Sequence, residues 1–341
     1  MASSVATLIG QHPSNPCQET HLASGSSKAW TKAYPPITNL IVHSKMQGDQ
    51  ATQADFRAFH PEFEDDTLRL QERGSAPNER SYRLNTEEDG VTWFHTEVSN
   101  IVLAAFSRYP RVLQTSHDKP ISESRDDHTV DVAYSVYSGK TRKHVAIGEF
   151  KRGLIVPGEW RRGKLDTTPQ KSLSQELRGY ACRYTCPLVF CFDNYTLIML
   201  QFRAKKAKGL EDAKCPVDCW VLPRDNIHGT PLRYALYRFI VQGFRRCQGE
   251  AAVDVAFNGQ RPSGRCFFNG VPFWKAEDGT KISEPWDYHR RVEASNGAFY
   301  WARPGGLEAV QYNDGNTVWD TAPFWESEEQ AEEEEDLYSA N

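Results

Sequence analysis

Residues 143–153 read KHVAIGEFKRG, and the alternation within them restricts the fold more than any other feature of the chain. Side chains on a β-strand point to its two faces in turn, so Val145 and Ile147 form one buried face. The same period continues to Glu149 and then to Lys151. Desolvating either charge alone is costly, so an apolar face that runs on into a carboxylate and an ammonium needs a reason. One reason is an ion pair at a strand end, which adds little stability. The other is a site at which a metal ion meets a substrate.

The flanking segments give this strand its neighbours. Asn85 or Thr86 is placed to cap a helix whose first turn carries Glu87, Glu88 and Asp89, as the positive end of the helix dipole favours. Phe94, Val98, Ile101, Val102 and Ala105 form its apolar stripe, with Glu97 beside it. RVLQTSH and HTVDVAYSVYSG read as two strands, and Asp131 stands near the start of the second. After the KHVAIGEFKRG strand comes a basic loop, VPGEWRRGKLD. A helix follows, with Thr168 as its cap, Pro169 in its first turn and Leu173, Leu177, Tyr180, Ala181 and Tyr184 on one face. CPLVFCFDN and YTLIMLQFRA pair around Asp193-Asn194, and TPLRYALYRFIVQGFRRC is a last amphipathic helix.

The ends differ in texture. Residues 1–84 are polar and weakly periodic, which predicts a largely disordered segment with ITNLIVHS as a short strand. An ordered domain is expected over 85–250. Residues 251–325 repeat aromatic pairs and glycine turns, which predicts a small β-rich appendage with its own core. Residues 326–341 form an acidic tail, expected to be disordered.

Charge is distributed unevenly. The net charge is −5, yet eight carboxylates lie in 326–336 alone, and without them it becomes +3. Residues 140–183 hold eleven Lys or Arg against four Asp or Glu. Such a balance is either a solvated surface or the footprint of a polyanion such as nucleic acid. No run of apolar residues approaches the roughly 20 needed to cross a bilayer, which argues against a membrane partner. The N-terminus lacks a basic region ahead of its short apolar patch, and the eight cysteines lack disulfide-scaffold spacing. An intracellular setting, cytoplasmic or nuclear, is expected. Cys182, Cys186, Cys191, Cys215, Cys219 and His228 raise a zinc reading, but spacings looser than C-x2-C weigh against it.

The order helix, strand, strand, strand, helix, strand over residues 86–202, with Asp131 on one strand and Glu149-Phe150-Lys151 on the next, resembles the PD-(D/E)XK nuclease superfamily. The flanks are similar to those of fungal members. The resemblance covers about a third of the chain. It implies a three-layer αβα sandwich with an αβββαβ core, restriction-endonuclease-like, and hydrolysis of phosphodiester bonds in nucleic acid, DNA ahead of RNA. The first motif pair reads Val130-Asp131. Some branches carry Gln and Tyr four apart in the second helix; here Glu176 lies four before Tyr180 and Gln175 five before it, so both are candidates. Glu97 falls where some members supply an extra carboxylate.

Elementary chemistry selects the same residues. Phosphodiester hydrolysis requires a hard cation against the charge that builds on phosphate oxygens. Mg²⁺ (or Mn²⁺) keeps several waters, so Asp131 and Glu149 with the Phe150 carbonyl suffice as ligands. Lys151 is placed to orient the attacking water or to stabilise the transition state. Arg152, Arg161, Arg162, Lys164 and Arg178 are the candidate contacts to nucleic acid. Two rival readings are a catalytically silent module of this fold that binds nucleic acid or protein, and a viral or mobile-element nuclease. The joint presence of Asp131, Glu149 and Lys151 favours activity.

Overall fold

The computed structural model describes residues 3–19, 23–25, 28–47, 51–107, 111–120, 129–138, 141–251, 264–282, 289–292 and 299–302. Its helices are α1 (Val5–Ile9), α2 (Glu64–Gln71), α3 (Glu87–Phe94), α4 (Asn100–Ala104), α5 (Pro157–Arg162), α6 (Thr168–Arg183) and α7 (Leu232–Ala251). Seven strands make the main sheet: β1 (Leu40–Val42), β2 (Leu113–Asp118), β3 (Val130–Ser138), β4 (Thr141–Phe150), β5 (Leu188–Phe192), β6 (Thr196–Phe202) and β7 (Val217–Pro223).

Across the sheet the order is β1-β7-β6-β5-β4-β3-β2. β2, β3 and β4 form an antiparallel meander, and β5, β6 and β7 form a second one. Between the meanders β4 and β5 run parallel. A parallel step needs a crossover long enough to return the chain, and α5 with α6 supplies it. The protein is therefore mixed α/β, and the predicted order helix, three strands, helix, strand appears as α3/α4, β2, β3, β4, α6, β5.

The alternation read from the sequence sends β4 to two different layers. Phe150 meets Phe94 of α3 at 5.4 Å between ring centroids, and Phe94 stacks on Phe190 of β5 at 5.6 Å. Phe190 also reaches Phe239 of α7, at 6.4 Å. Gly148 makes this layer possible: a Cβ there would stand 2.1 Å from the Phe190 ring. The opposite face, with Ile147 and Glu149, is covered by α6, whose Leu173, Leu177, Tyr180 and Ala181 are buried.

Local signals set the helix starts. Thr86 caps α3, accepting from the Asp89 N–H at 3.1 Å while the Asp89 carboxylate accepts from the Thr86 N–H at 2.8 Å. A π-helical turn, His95–Ser99, joins α3 to α4. The cap of α6 is Thr167, one residue before the predicted Thr168. Its backbone is held by Glu159, whose carboxylate accepts from the Asp166 and Thr167 N–H groups at 2.6 and 3.1 Å.

Residues 1–84 differ from expectation. Val5, Leu8, Ile9, Ile37 and Phe59 are buried in the main core. β1, within the ITNLIVHS stretch, pairs parallel with β7 and extends the sheet. Asp65 and Asp66 of α2 form buried ion pairs with Arg69 and Arg245. These residues have weak periodicity because they dock in short pieces, such as the five-residue α1, onto a core built by later elements. Within 251–325 the described residues form short strands: Gly264–Arg265, Pro272–Lys275 and Lys281–Ile282 in one small sheet, His289–Val292 with Phe299–Ala302 in another. The acidic tail, 326–341, lies outside the described residues.

Candidate active site

The end of β4 is fixed by backbone bonds on the side of β5. The Lys151 N–H donates to the Phe192 carbonyl at 2.9 Å, and the Gly153 N–H donates to the Asp193 carbonyl at 3.0 Å. Asp193 also accepts from the Ile155 N–H at 2.7 Å and from the Thr196 N–H at 2.9 Å. One turn carboxylate thus ties the chain leaving β4 to the β5–β6 hairpin, which holds Glu149 and Lys151 in a set direction.

On the other side lies Asp131. Val132 pairs with Gly148 in the antiparallel register, so Asp131 stands opposite Glu149, one step on. Residues opposite each other in such a pair share a face. Asp131 Oδ2 accepts from the Phe150 N–H at 2.6 Å, which orients the carboxylate toward β4. This bond occupies the Phe150 amide, while the Phe150 ring sits in the aromatic layer on the far side.

α6 brings the fourth group. Lys151 Nζ donates to Glu149 Oε1 at 2.5 Å and to Glu176 Oε1 at 3.2 Å. The Tyr180 hydroxyl donates to Glu176 Oε1 at 3.3 Å. Of the two helix candidates, Glu176 joins the cluster. Gln175 turns away and donates to the Tyr34 carbonyl at 2.9 Å.

A residue that sequence reasoning did not single out completes the group. Lys28, just before the 3₁₀ turn Ala29–Ala33, reaches in from the N-terminal segment. Its Nζ lies 2.9 Å from Glu149 Oε1, 2.8 Å from Glu176 Oε1 and 2.5 Å from the Tyr180 hydroxyl oxygen. No motif marks it; the preceding ASGSS is a loop sequence, and only the folded path of the chain brings it to β4.

Three carboxyl groups therefore face two ammonium groups in a largely desolvated space. Burial, then the neighbouring Asp131 carboxylate, pushes the Glu149 carboxyl up to about 8. Burial likewise raises Asp131, against the Phe150 N–H bond. Burial alone would lower Lys151, but Glu149 and Glu176 outweigh it and hold the ammonium protonated. Glu149 Oε2 is buried and has no hydrogen-bond partner. An orphaned carboxylate oxygen in a group with excess negative charge is chemically suited to a hard cation. Among the described residues no group of three or more His, Cys, Asp or Glu side chains is disposed to hold a metal ion. A cation that retains most of its waters requires only one or two of them.

Other candidates lie elsewhere. Glu97 is buried and accepts from Asn15 at 2.7 Å and the Tyr82 hydroxyl at 2.9 Å, with Arg233 at 3.6 Å; its partners are all outside the Glu149 cluster. Arg178 is buried and donates to the Leu210 and Asp212 carbonyls, each at 2.7 Å, so it is a structural residue and not a surface for nucleic acid. Arg152 is half-buried against the Asn85 carbonyl. Arg161 is half-buried, with Nη1 3.7 Å from Met46 Sδ. Arg162 and Lys164 are exposed, Lys164 beside Asp166 at 3.3 Å. These three belong to α5 and its following loop, which pack on β1 and β7. β7 is three strands from β4 in the sheet order, about 14 Å at the usual strand spacing. The basic loop flanks the cluster and does not line it.

All eight cysteines are free. No helix among the described residues is long and apolar enough to cross a membrane. Comparison with protein-family models, curated proteins and solved structures finds no match to this chain.

Proposed function

We propose that the protein is a divalent-metal-dependent nuclease with a restriction-endonuclease-like αβα sandwich, acting on phosphodiester bonds of nucleic acid, DNA ahead of RNA. The observation that carries this reading is the convergence of Glu149 of β4 and Lys151, just past the end of that strand, with Glu176 of α6, beside Asp131 of β3, around a buried and unpartnered Glu149 oxygen. The meander β2-β3-β4 followed by a helical crossover to parallel β5 supports the fold assignment.

Asp131, Glu149 and the Phe150 carbonyl would hold Mg²⁺ or Mn²⁺. The ion supplies Lewis-acid neutralisation of charge on the phosphate oxygens. Lys151 offers a fixed ammonium to the developing oxyanion, preorganised by two carboxylates. Glu176 holds Lys151 in place and is a positioning residue. Arg162 and Lys164 extend a positive path along the α5 side for the backbone of a bound strand.

One observation favours a second reading. Glu149 and Glu176 each pair with both lysines, which is also how a closed structural cluster looks in a silent module that binds nucleic acid or protein. Incubation of the purified protein with plasmid, single-stranded DNA and RNA, with Mg²⁺ or Mn²⁺ and then EDTA, separates the two. Metal-dependent cleavage that disappears in Glu149→Gln supports the nuclease. Binding without cleavage on all three substrates supports the silent module.

A further inference from the structure

The Lys28 contact has no place in the reaction just described, and its character differs from every other contact in the cluster. Glu149 and Glu176 have side chains 2% and 0% exposed, and Lys151 is 5% exposed, whereas the Lys28 side chain is 41% exposed. Lys28 alone among these ion-paired groups is able to withdraw without opening the core. Its ammonium touches the same Oε1 atoms that Lys151 touches, so Glu149 and Glu176 already have a resident cation before Lys28 arrives.

Charge makes the second cation informative. When all three are ionised, Asp131, Glu149 and Glu176 carry three formal negative charges, and Lys151 and Lys28 carry two positive ones. If Lys28 leaves and one divalent ion enters, the formal charges balance. Glu149 Oε2, buried without a partner, is an oxygen that Lys28 does not satisfy and a metal ion would.

The segment bearing Lys28 is held on two sides. Ser24 and Arg152 exchange backbone and hydroxyl contacts: the Ser24 N–H donates to the Arg152 carbonyl at 2.7 Å, and the Arg152 N–H donates to Ser24 Oγ at 2.8 Å. On the other side Trp30 lies against Tyr180, 5.2 Å between centroids, over Gly179. A side chain at Gly179 would clash with Trp30, its Cβ falling 2.4 Å from the ring, so α6 carries a fitted seat for the segment.

We propose that Lys28 is a tethered cation that closes the Glu149–Glu176 pair and exchanges with the divalent metal, making Lys28 and the 3₁₀ turn Ala29–Ala33 that follows it an autoinhibitory latch on this site. The inference rests on the metal-site reading above. Metal entry and Lys28 contact are alternatives: the same carboxylates hold one or the other. Apparent metal affinity is then reduced by the fraction of molecules in which the latch is open.

Two measurements on the full chain test this. In calorimetric titrations with Mn²⁺, Lys28→Gln should bind about tenfold or more tightly than wild type, as expected if the latch is closed in at least nine molecules of ten. Lys28→Arg, which keeps the charge and the ion pairs, should bind no more tightly than wild type. In amine labelling with an N-hydroxysuccinimide ester, read at each lysine by mass spectrometry, Mg²⁺ should increase modification of Lys28 relative to the exposed Lys164. That increase should vanish in Glu149→Gln. Mn²⁺ binding that depends on Glu149 but is equal in wild type and Lys28→Gln, or Lys28 labelling indifferent to Mg²⁺, would overturn the latch and leave the metal site standing. Absence of Mn²⁺ binding in both wild type and Lys28→Gln would remove the metal site and the latch together.

Discussion

Lys151 Nζ lies 3.2 Å from Glu176 Oε1, so the residue that follows β4 bridges Glu149 of the strand to Glu176 of α6, 25 positions further on. The pairing makes distinct forecasts for each partner. Glu149→Gln keeps the shape but removes a carboxylate from the proposed metal site, and Lys151→Ala removes the ammonium but leaves the carboxylates. Both should reduce cleavage by a factor of roughly 10² or more, as for loss of a preorganised electrostatic group. Glu149→Gln should also weaken Mn²⁺ binding, whereas Lys151→Ala should not. Cleavage retained in both purified variants would assign the activity to another site.

Glu149 makes stability depend on pH in an unusual direction. Its carboxyl is pushed up to about 8, chiefly by burial and next by Asp131, from an ordinary 4.5. Between those values the folded chain holds a proton that the unfolded chain releases, so stability falls as pH rises through the window. Glu149→Gln has no such proton. Its advantage over wild type should grow by about 1–3 kcal/mol between pH 5 and pH 9. Denaturant midpoints that differ by a constant amount at both pH values would refute this.

Arg178 and the loop arginine Arg162 should behave oppositely. Arg178→Ala leaves the Leu210 and Asp212 carbonyls without their buried donor and should cost about 1–3 kcal/mol of stability. Arg162→Ala and Lys164→Ala should leave stability unchanged, weaken nucleic-acid binding, and each reduce the salt slope by about 1. Deleting 326–341 should tighten binding if its carboxylates compete as a polyanion mimic. Affinity that is level between about 50 and 200 mM salt would exclude a phosphate-tracking surface.

Gly148→Ala tests the aromatic layer without touching the charges. The new Cβ would stand 2.1 Å from the Phe190 ring, and the layer must shift. A loss of about 1–3 kcal/mol is expected from overpacking, seen as a lower thermal midpoint. Because Gly148 faces away from Glu149, metal affinity should hold. Unchanged stability would mean that the ring relocates freely.

The alternation Ile147, Glu149, Lys151 was legible because strand periodicity is local, and so were α6 and the β5–β6 hairpin; Val145 departs from it, because a bulge between His144 and Ala146 shifts the register and sets Val145 against Gly243 of α7. The helix candidate was legible only as a choice between Gln175 and Glu176, since a five-residue and a four-residue offset point in directions that only packing distinguishes. Glu97 and Arg178 were misplaced for a shared reason: a charged residue on an amphipathic helix looks solvated until its partners arrive from far along the chain, here Asn15, Tyr82 and Arg233 for Glu97 and the Leu210 and Asp212 carbonyls for Arg178. Lys28 left no local trace at all, because its function in the fold is made entirely by contacts more than 120 residues away.

The parallel pairing of β1 with β7 has a consequence for synthesis. His43, next to β1, meets Asp218 of β7 across 175 positions. At roughly 5–20 residues per second, the ribosome delivers β7 about 10–35 s after β1. Throughout that interval the first strand has no seat in the sheet, while β2 to β6 are already emerging. The ribosome thus delivers β4, α6 and β5 before the partner strand of β1, so the N-terminal arm that carries Lys28 cannot be fastened at that edge of the sheet until β7 has followed.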